Sequence, residues 1–233
     1  MDEDFDVAIS TGAAAALPIL PRALLKGKKV VYIESVSRFE GPSLTGRIMG
    51  SLPGVKLFTQ HPEWANSKWI HKFSVLDDFV SVETGRSPSE RLRIFVSLGT
   101  IRPYRFDRLV DRVRQIAPHG DVCWQLGETV RDDLPGKVNA YLPAAEFEKQ
   151  ARSADVVVTH AGVGTALALL DLGIYPVLVA RRSSHREHVD DHQLQIAKRL
   201  QDLGLAISPS ADELTLEHLQ FAASRRINRL GVS

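Results

Sequence analysis

The chain has 233 residues, 44% of them hydrophobic and 24% charged, with 29 lysines and arginines against 28 aspartates and glutamates. That length and apolar content suffice for one large domain or two modest ones with real cores. A net charge of +1 argues against a surface built for polyanions, and no basic patch with interleaved aromatics marks a nucleic-acid site. Cys123 is the single cysteine, which excludes an intrachain disulfide. In the strand-like run DVCWQL a buried, inert thiol is expected there.

Strand-like runs alternate with helical patterns along the chain, the signature of parallel α/β layers. Strands are expected near Val7 to Ser10, Val30 to Glu34, Lys56 to Thr59, Arg93 to Leu98, Val122 to Gln125, Val138 to Tyr141, Val156 to Thr159, Val177 to Val179 and Ala206 to Ile207. After the first strand, AAAALPILPRALL is apolar but too short to cross a bilayer and is interrupted by Pro18 and Pro21, so it reads as a helix packed on a sheet. Arg22, Lys26, Lys28 and Lys29 suit an anionic membrane surface, with a solvated basic loop as the plain alternative. No signal peptide or spanning segment is visible, so a cytoplasmic protein is expected, peripheral at the inner face of the membrane at most. The polar stretch from Ser81 to Glu90, punctuated by Gly85 and Pro88, reads as an interdomain linker. The expected organisation is a first domain over 1–84, a linker over 85–90 and a second domain over 91–233.

The run DVVVTHAGVGT, Asp155 to Thr165, joins an apolar β-branched strand to a glycine-containing turn and a helix beginning near Thr165. Gly162 and Gly164 let backbone N–H groups approach a ligand, and the helix dipole points its positive end at the same spot, as a diphosphate requires. An ordinary strand-to-helix turn, with glycines that only relieve crowding, is the alternative. Further on, HREHVDDH places His185, His188 and His192 at spacings one helical face can present, with Glu187, Asp190 and Asp191 as added oxygen ligands. A metal site and a solvated helix start are both open from the residues alone.

Several signatures in fixed order settle more. SLGT (Ser97 to Thr100), FDRL (Phe106 to Leu109), QLG (Gln125 to Gly127), ADVVVTHAGVGT (Ala154 to Thr165) and EHVDDHQ (Glu187 to Gln193) resemble the carboxyl-terminal domain of family 28 glycosyltransferases, the group that includes the bacterial lipid II N-acetylglucosaminyltransferase and the eukaryotic Alg13 subunit. DVAISTGAAAALP, KKVVYIESVSR, SLTGRIM and KLFTQHPEW resemble the latter half of an Alg14-type acceptor-side domain, which is paired or fused with an Alg13-like chain in exopolysaccharide glycosyltransferases. The resemblance implies a GT-B architecture, two Rossmann-like domains with parallel sheets facing each other across a cleft. An earlier βα unit with a glycine-rich loop is also implied, and none precedes DFDVAIST, so the first domain is expected to be incomplete.

By the same resemblance, the donor is a UDP-sugar, no cofactor or metal is needed, and the donor-binding residues are Gly99, Thr100, Leu142, His160, Ala161, Gly162, Val163, Gly164, Thr165, His192 and Gln193. His160 is expected to donate to an oxyanion or to order the loop. Many family members carry a ribose-gripping glutamate where this chain has Ala168. Asp171, one turn on, is expected to replace it only if the helix rotates or the donor sits differently. The catalytic base has no clear bearer; Glu34, Arg38 and His160 are the candidates. The implied reaction is inverting transfer of N-acetylglucosamine or another hexose to a lipid-linked saccharide acceptor. A donor-binding subunit inactive without a partner chain and a UDP-sugar epimerase of GT-B fold are the alternatives. Because an incomplete first domain would leave Val7 and Ile9 uncovered, a homo-oligomer or a partner subunit is expected.

Overall fold

A computed structural model describes residues 4–85, 91–188 and 192–231, with the backbone alone of His192. Residues 86–90 of the expected linker and 189–191, which include the pair Asp190 and Asp191, lie outside the described residues. The chain divides into two compact units, Met1–Asp78 and Phe79–Ser233.

The first unit is a four-stranded parallel sheet, β1 (Val7–Ser10), β2 (Lys29–Ile33), β3 (Val55–Thr59) and β4 (Trp69–His71), in sequential order. The crossover helices α1 (Ala16–Leu25) and α2 (Leu44–Ser51) lie on one face. Ala16, Leu20, Ala23 and Met49 pack there against Val30, Tyr32, Leu57 and Trp69. Side chains alternate across a strand, so Val7, Ile9, Val31, Ile33, Phe58 and Ile70 form the other face. No helix of the described residues covers it, and Ile9 is 63% exposed. A hollow of about 150 Å³ opens there between Ile9, Val31, Ile33, Phe58 and Phe73. The apolar segment after β1 is thus a helix on a sheet, as its composition predicts, and among the described residues no helix is long and apolar enough to cross a membrane.

In the second unit β6 (Arg93–Ser97), β7 (Asp121–Gln125), β8 (Lys137–Asn139), β9 (Val156–His160) and β10 (Val177–Val179) form a parallel sheet in the order β10-β9-β6-β7-β8. Ile94, Phe95 and Val96 of β6 and Val156, Val157 and Val158 of β9 are all buried, so both faces are covered, as a doubly wound sheet demands. Helices α4 (Ala144–Ser153) and α5 (Val163–Asp171) share one face, where Phe95 and Val157 meet Leu142, Ala151 and Leu169. The right-handed crossover rule puts α3 (Asp107–Ile116), which moves the chain in the opposite direction, on the other face. Helices α6 (His192–Asp202) and α7 (Leu216–Ala223) complete the unit. Cys123 is half-buried and burial raises its thiol pKa, which keeps it unreactive.

One expected boundary moves. Phe79–Glu83 is a strand, β5, antiparallel to β11 (Arg225–Arg229), so Ser81 to Glu83 belong to the second unit rather than to a linker. The partner strand lies some 140 residues away, beyond what local pattern reveals. The expected strand at Ala206–Ile207 is a single parallel bridge from Ile207 to Val177.

Candidate functional site

The strand order of the second unit reverses between β6 and β9: the chain runs from β6 outward to β7 and β8, then returns to β9 and β10. Ligands of open α/β sheets bind beyond the carboxyl ends of the strands at such a point. A cleft of about 530 Å³ lies in that region, lined by Ser97, Gln125, Leu142, Phe147, Thr165 and Ala168 among others.

Helix α5 begins at Val163, two residues earlier than expected. Gly162 is its N-cap in ordinary extended backbone (φ −80°, ψ 127°), no side chain of the described residues caps it, and its first turn holds no acidic residue. The first intrahelical bond runs from the Ala166 amide to the Gly162 carbonyl, 2.9 Å. The amides of Val163, Gly164 and Thr165 therefore have no acceptor among the described residues and stand as donors at a positive dipole end, and Gly164 and Thr165 line the cleft.

The glycines do different work from that expected. A side chain at Gly162 would run into the His160 ring, as would one at Gly99, whose φ of +72° also favours glycine. A side chain at Gly164 would meet nothing within 4 Å. The imidazole thus lies between the turns after β6 and β9, and Gly164 is the position open to the cleft. His160 is buried, and desolvation lowers its pKa to about 4, helped by the Arg181 charge and opposed by a bond to the Ser97 backbone. It is neutral at pH 7 and orders the two turns.

Arg181, which the sequence did not single out, is 1% exposed. Its Nη2 donates to the Leu98 carbonyl at 2.7 Å, and its Nη1 reaches the carbonyls of Tyr104, Arg105 and Glu187 at 3.1, 3.3 and 3.1 Å. Its backbone N–H donates to Gln193 Oε1 at 3.2 Å. The guanidinium thereby fastens the segment after β6 to the loop after β10, and the backbone N–H of the same residue holds the start of α6. Burial lowers its pKa to about 10, so the charge persists at neutral pH. The Glu187 carboxylate is spent elsewhere, on Arg108 (3.0 Å to Nε) and the Arg182 amide (3.0 Å). Arginines after strands are common, and only the fold reveals that this one points inward.

Of the expected donor residues, Gly99, Thr100, Leu142, Gly164 and Thr165 line the cleft. Ala161 is buried and Val163 is half-buried, both outside the lining, and Gln193 stands behind it through Arg181. The His192 side chain lies outside the described residues. Ala168 and Asp171 line the same side of the cleft, because residues three apart on a helix are neighbours. Asp171 therefore needs no rotation of α5 to reach it, and its carboxylate lies 3.4 Å from Arg229 Nη1. Among the described residues no group of three or more histidine, cysteine, aspartate or glutamate side chains is placed to hold a metal ion.

Glu34, a candidate base, is 1% exposed and has another task. Oε1 accepts from Tyr32 Oη at 3.3 Å and the Ser35 amide at 3.0 Å; Oε2 accepts from the Ser43 amide at 2.9 Å and Ser43 Oγ at 3.0 Å. These four bonds use the carboxylate's acceptor capacity and tie β2 to the start of α2. Arg38 is exposed.

Residues 125–223 match the model of the glycosyltransferase family 28 C-terminal domain. The chain is also similar to the crystal structure of Acinetobacter baumannii MurG, at 19% identity and a TM-score of 0.59 over 93% of this chain and 64% of that one. The glycotransferase of kitacinnamycin aligns at 16% identity and a TM-score of 0.57 over 95% of this chain and 67% of that one. A comparison with curated proteins finds no match. The fold is that of GT-B glycosyltransferases, and residues 125–223 within the second unit are similar to the family 28 C-terminal domain. This chain spans 64% of the length of MurG.

Proposed function

We propose that the second unit binds a UDP-sugar and that the chain works in an inverting glycosyltransferase, moving N-acetylglucosamine or another hexose to a hydroxyl of a lipid-linked acceptor in polysaccharide or glycan synthesis. The observation that carries this is the uncapped α5 N-terminus opening on the cleft beside the switch point, with the buried Arg181 guanidinium near enough for its charge to act on His160 behind that turn. In such a transfer the acceptor oxygen bonds to the anomeric carbon as the bond from that carbon to the diphosphate breaks and UDP departs. Charge develops on the leaving oxygen. The free amides of α5 and the fixed guanidinium oppose it without a reorganisation cost. Turnover is accordingly expected to survive chelation.

The acceptor proton needs a base. Glu34 is engaged, and His160 is buried between two turns, so we assign the base and the acceptor's lipid end to a second copy or a partner chain docked on the bare face of the first unit. The basic residues around α1 suit peripheral contact with an anionic membrane. An assay with UDP-sugars and a polyprenyl-diphosphate sugar acceptor, with and without candidate partner chains, tests this. Glycosylated lipid, unaffected by EDTA, is expected. Epimerised sugar nucleotide with no transfer product would overturn it.

A further inference from the structure

Two polar atoms at the base of the cleft have no hydrogen-bond partner among the described residues, Ser97 Oγ and Gln125 Oε1. Both residues are buried, 1% and 6% exposed, and both line the cleft. They are register partners at the carboxyl ends of β6 and β7, so their side chains stand next to each other on the same face. A buried polar atom left unpaired is costly, and native proteins keep such atoms where something else completes them.

The strand order says what lies on either side. Ser97 pairs in register with Thr159 of β9, the strand that leads into the α5 N-terminus. Gln125 pairs with Asn139 of β8, the strand that leads to Tyr141 and Leu142. Across the strand ends the sequence of features is therefore an anion-binding helix end, Ser97, Gln125, and then an apolar and aromatic wall of Leu142, Phe147 and exposed Tyr141. A nucleoside diphosphate laid along this line puts phosphate at the first feature, base at the last, and ribose over the pair. Chemistry agrees. Gln125 Oε1 only accepts, and a diphosphate at neutral pH offers no proton, so the ligand group there carries an O–H or N–H.

Resting on the donor assignment above, we propose that Ser97 and Gln125 receive the vicinal hydroxyls of the donor's ribose, a task that no carboxylate at Ala168 performs in this chain. The site then selects ribonucleotides over 2′-deoxyribonucleotides through its strand ends.

Calorimetric titration of the full chain with UDP and with 2′-deoxy-UDP tests this, using wild type, Ser97→Ala, Gln125→Met and Asp171→Asn. Wild type is expected to prefer UDP by about tenfold or more, the effect of one lost hydrogen bond to a buried partner. In Gln125→Met the preference should collapse toward unity, with UDP weakened and 2′-deoxy-UDP little changed. Ser97→Ala should reduce the preference in part. Because Gln125→Met removes an unpaired acceptor, its melting temperature without nucleotide should stay level or rise; a marked fall would mean that Gln125 serves the fold and would overturn the proposal. So would an undiminished preference in Gln125→Met, or its loss in Asp171→Asn alone. Wild type that binds neither nucleotide would overturn the donor assignment itself, whereas wild type that binds both equally would overturn only the role of the pair.

Discussion

In the first unit the buried Glu34 carboxylate accepts four hydrogen bonds, and the loops it joins are finished without any ligand. In the second, the Arg181 guanidinium is buried against backbone carbonyls with its Nε unpartnered among the described residues, and Ser97 and Gln125 beside the cleft are likewise incomplete. A buried charge whose valences are all met is scaffold; buried groups left unmet around a surplus of one sign indicate where a ligand of the opposite sign and matching hydrogen bonds completes the structure. The sheets differ in the same sense. One is covered on both faces and has a cleft at its switch point, whereas the other leaves an apolar face that no helix of the described residues covers, the kind of surface that association buries.

Substitutions can break this contrast, the largest effect first. Arg181→Met strips the donors from Leu98, Tyr104, Arg105 and Glu187 and should cost the second unit about 3 kcal/mol or more in denaturant unfolding. Lysine at that position, with one ammonium in place of a planar fork, should recover less than half. Full recovery by lysine would mean that charge alone matters there.

His160 supplies a pH test of nearly the same size. Its folded pKa of about 4 lies below the ordinary histidine value near 6.5, so protons favour the unfolded state. The stability due to the neutral ring is complete above about pH 6.5 and is lost as pH falls toward 4, about 3 kcal/mol in all. Urea titrations across that window should show the slope in wild type and lose it in His160→Asn. An identical slope in both proteins would contradict a buried neutral imidazole.

Glu34→Gln weakens four bonds without emptying the site, for about 1–2 kcal/mol, and should leave UDP affinity unchanged; a loss of affinity would erase the distinction between scaffold and site. Ile9→Lys, on the bare face, should alter the stability of the chain by no more than about 0.5 kcal/mol. It should nevertheless abolish self-association or partner capture in light scattering. Wild type that is a clean monomer and is fully active alone would remove the docking role of that face.

Much of the fold was legible because β-branched runs and apolar helices carry local patterns. Eight of the nine expected strands are strands, displaced by no more than about two residues at an end. The ribbon of β5 and β11 was not legible, since each strand is short, the second is almost wholly polar, and most of a domain separates them. Around the site, the motif residues marked the right loops but not the role of each atom. Gly162 reads as the anion's neighbour, and the fold adds that a side chain there would meet the His160 ring. Arg181 is one of three arginines in a polar loop. Glu34 looked available because sequence cannot show that Ser43 folds back on it. Burial and hydrogen-bond completeness are long-range properties, and these decided each case.

The central claim is that a nucleoside diphosphate binds in the cleft of the second unit with its phosphates at the α5 N-terminus, and Gly164 tests it most directly. A side chain there meets open space, so the fold tolerates one, and loss of a helical glycine even favours the helix. Calorimetric titration with UDP should show binding to wild type, unaffected by EDTA. Gly164→Val, whose melting temperature should be close to that of wild type, should bind at least about a hundredfold more weakly, because the new methyl groups occupy the space the phosphates need. Undiminished UDP affinity in a folded Gly164→Val protein would contradict the account.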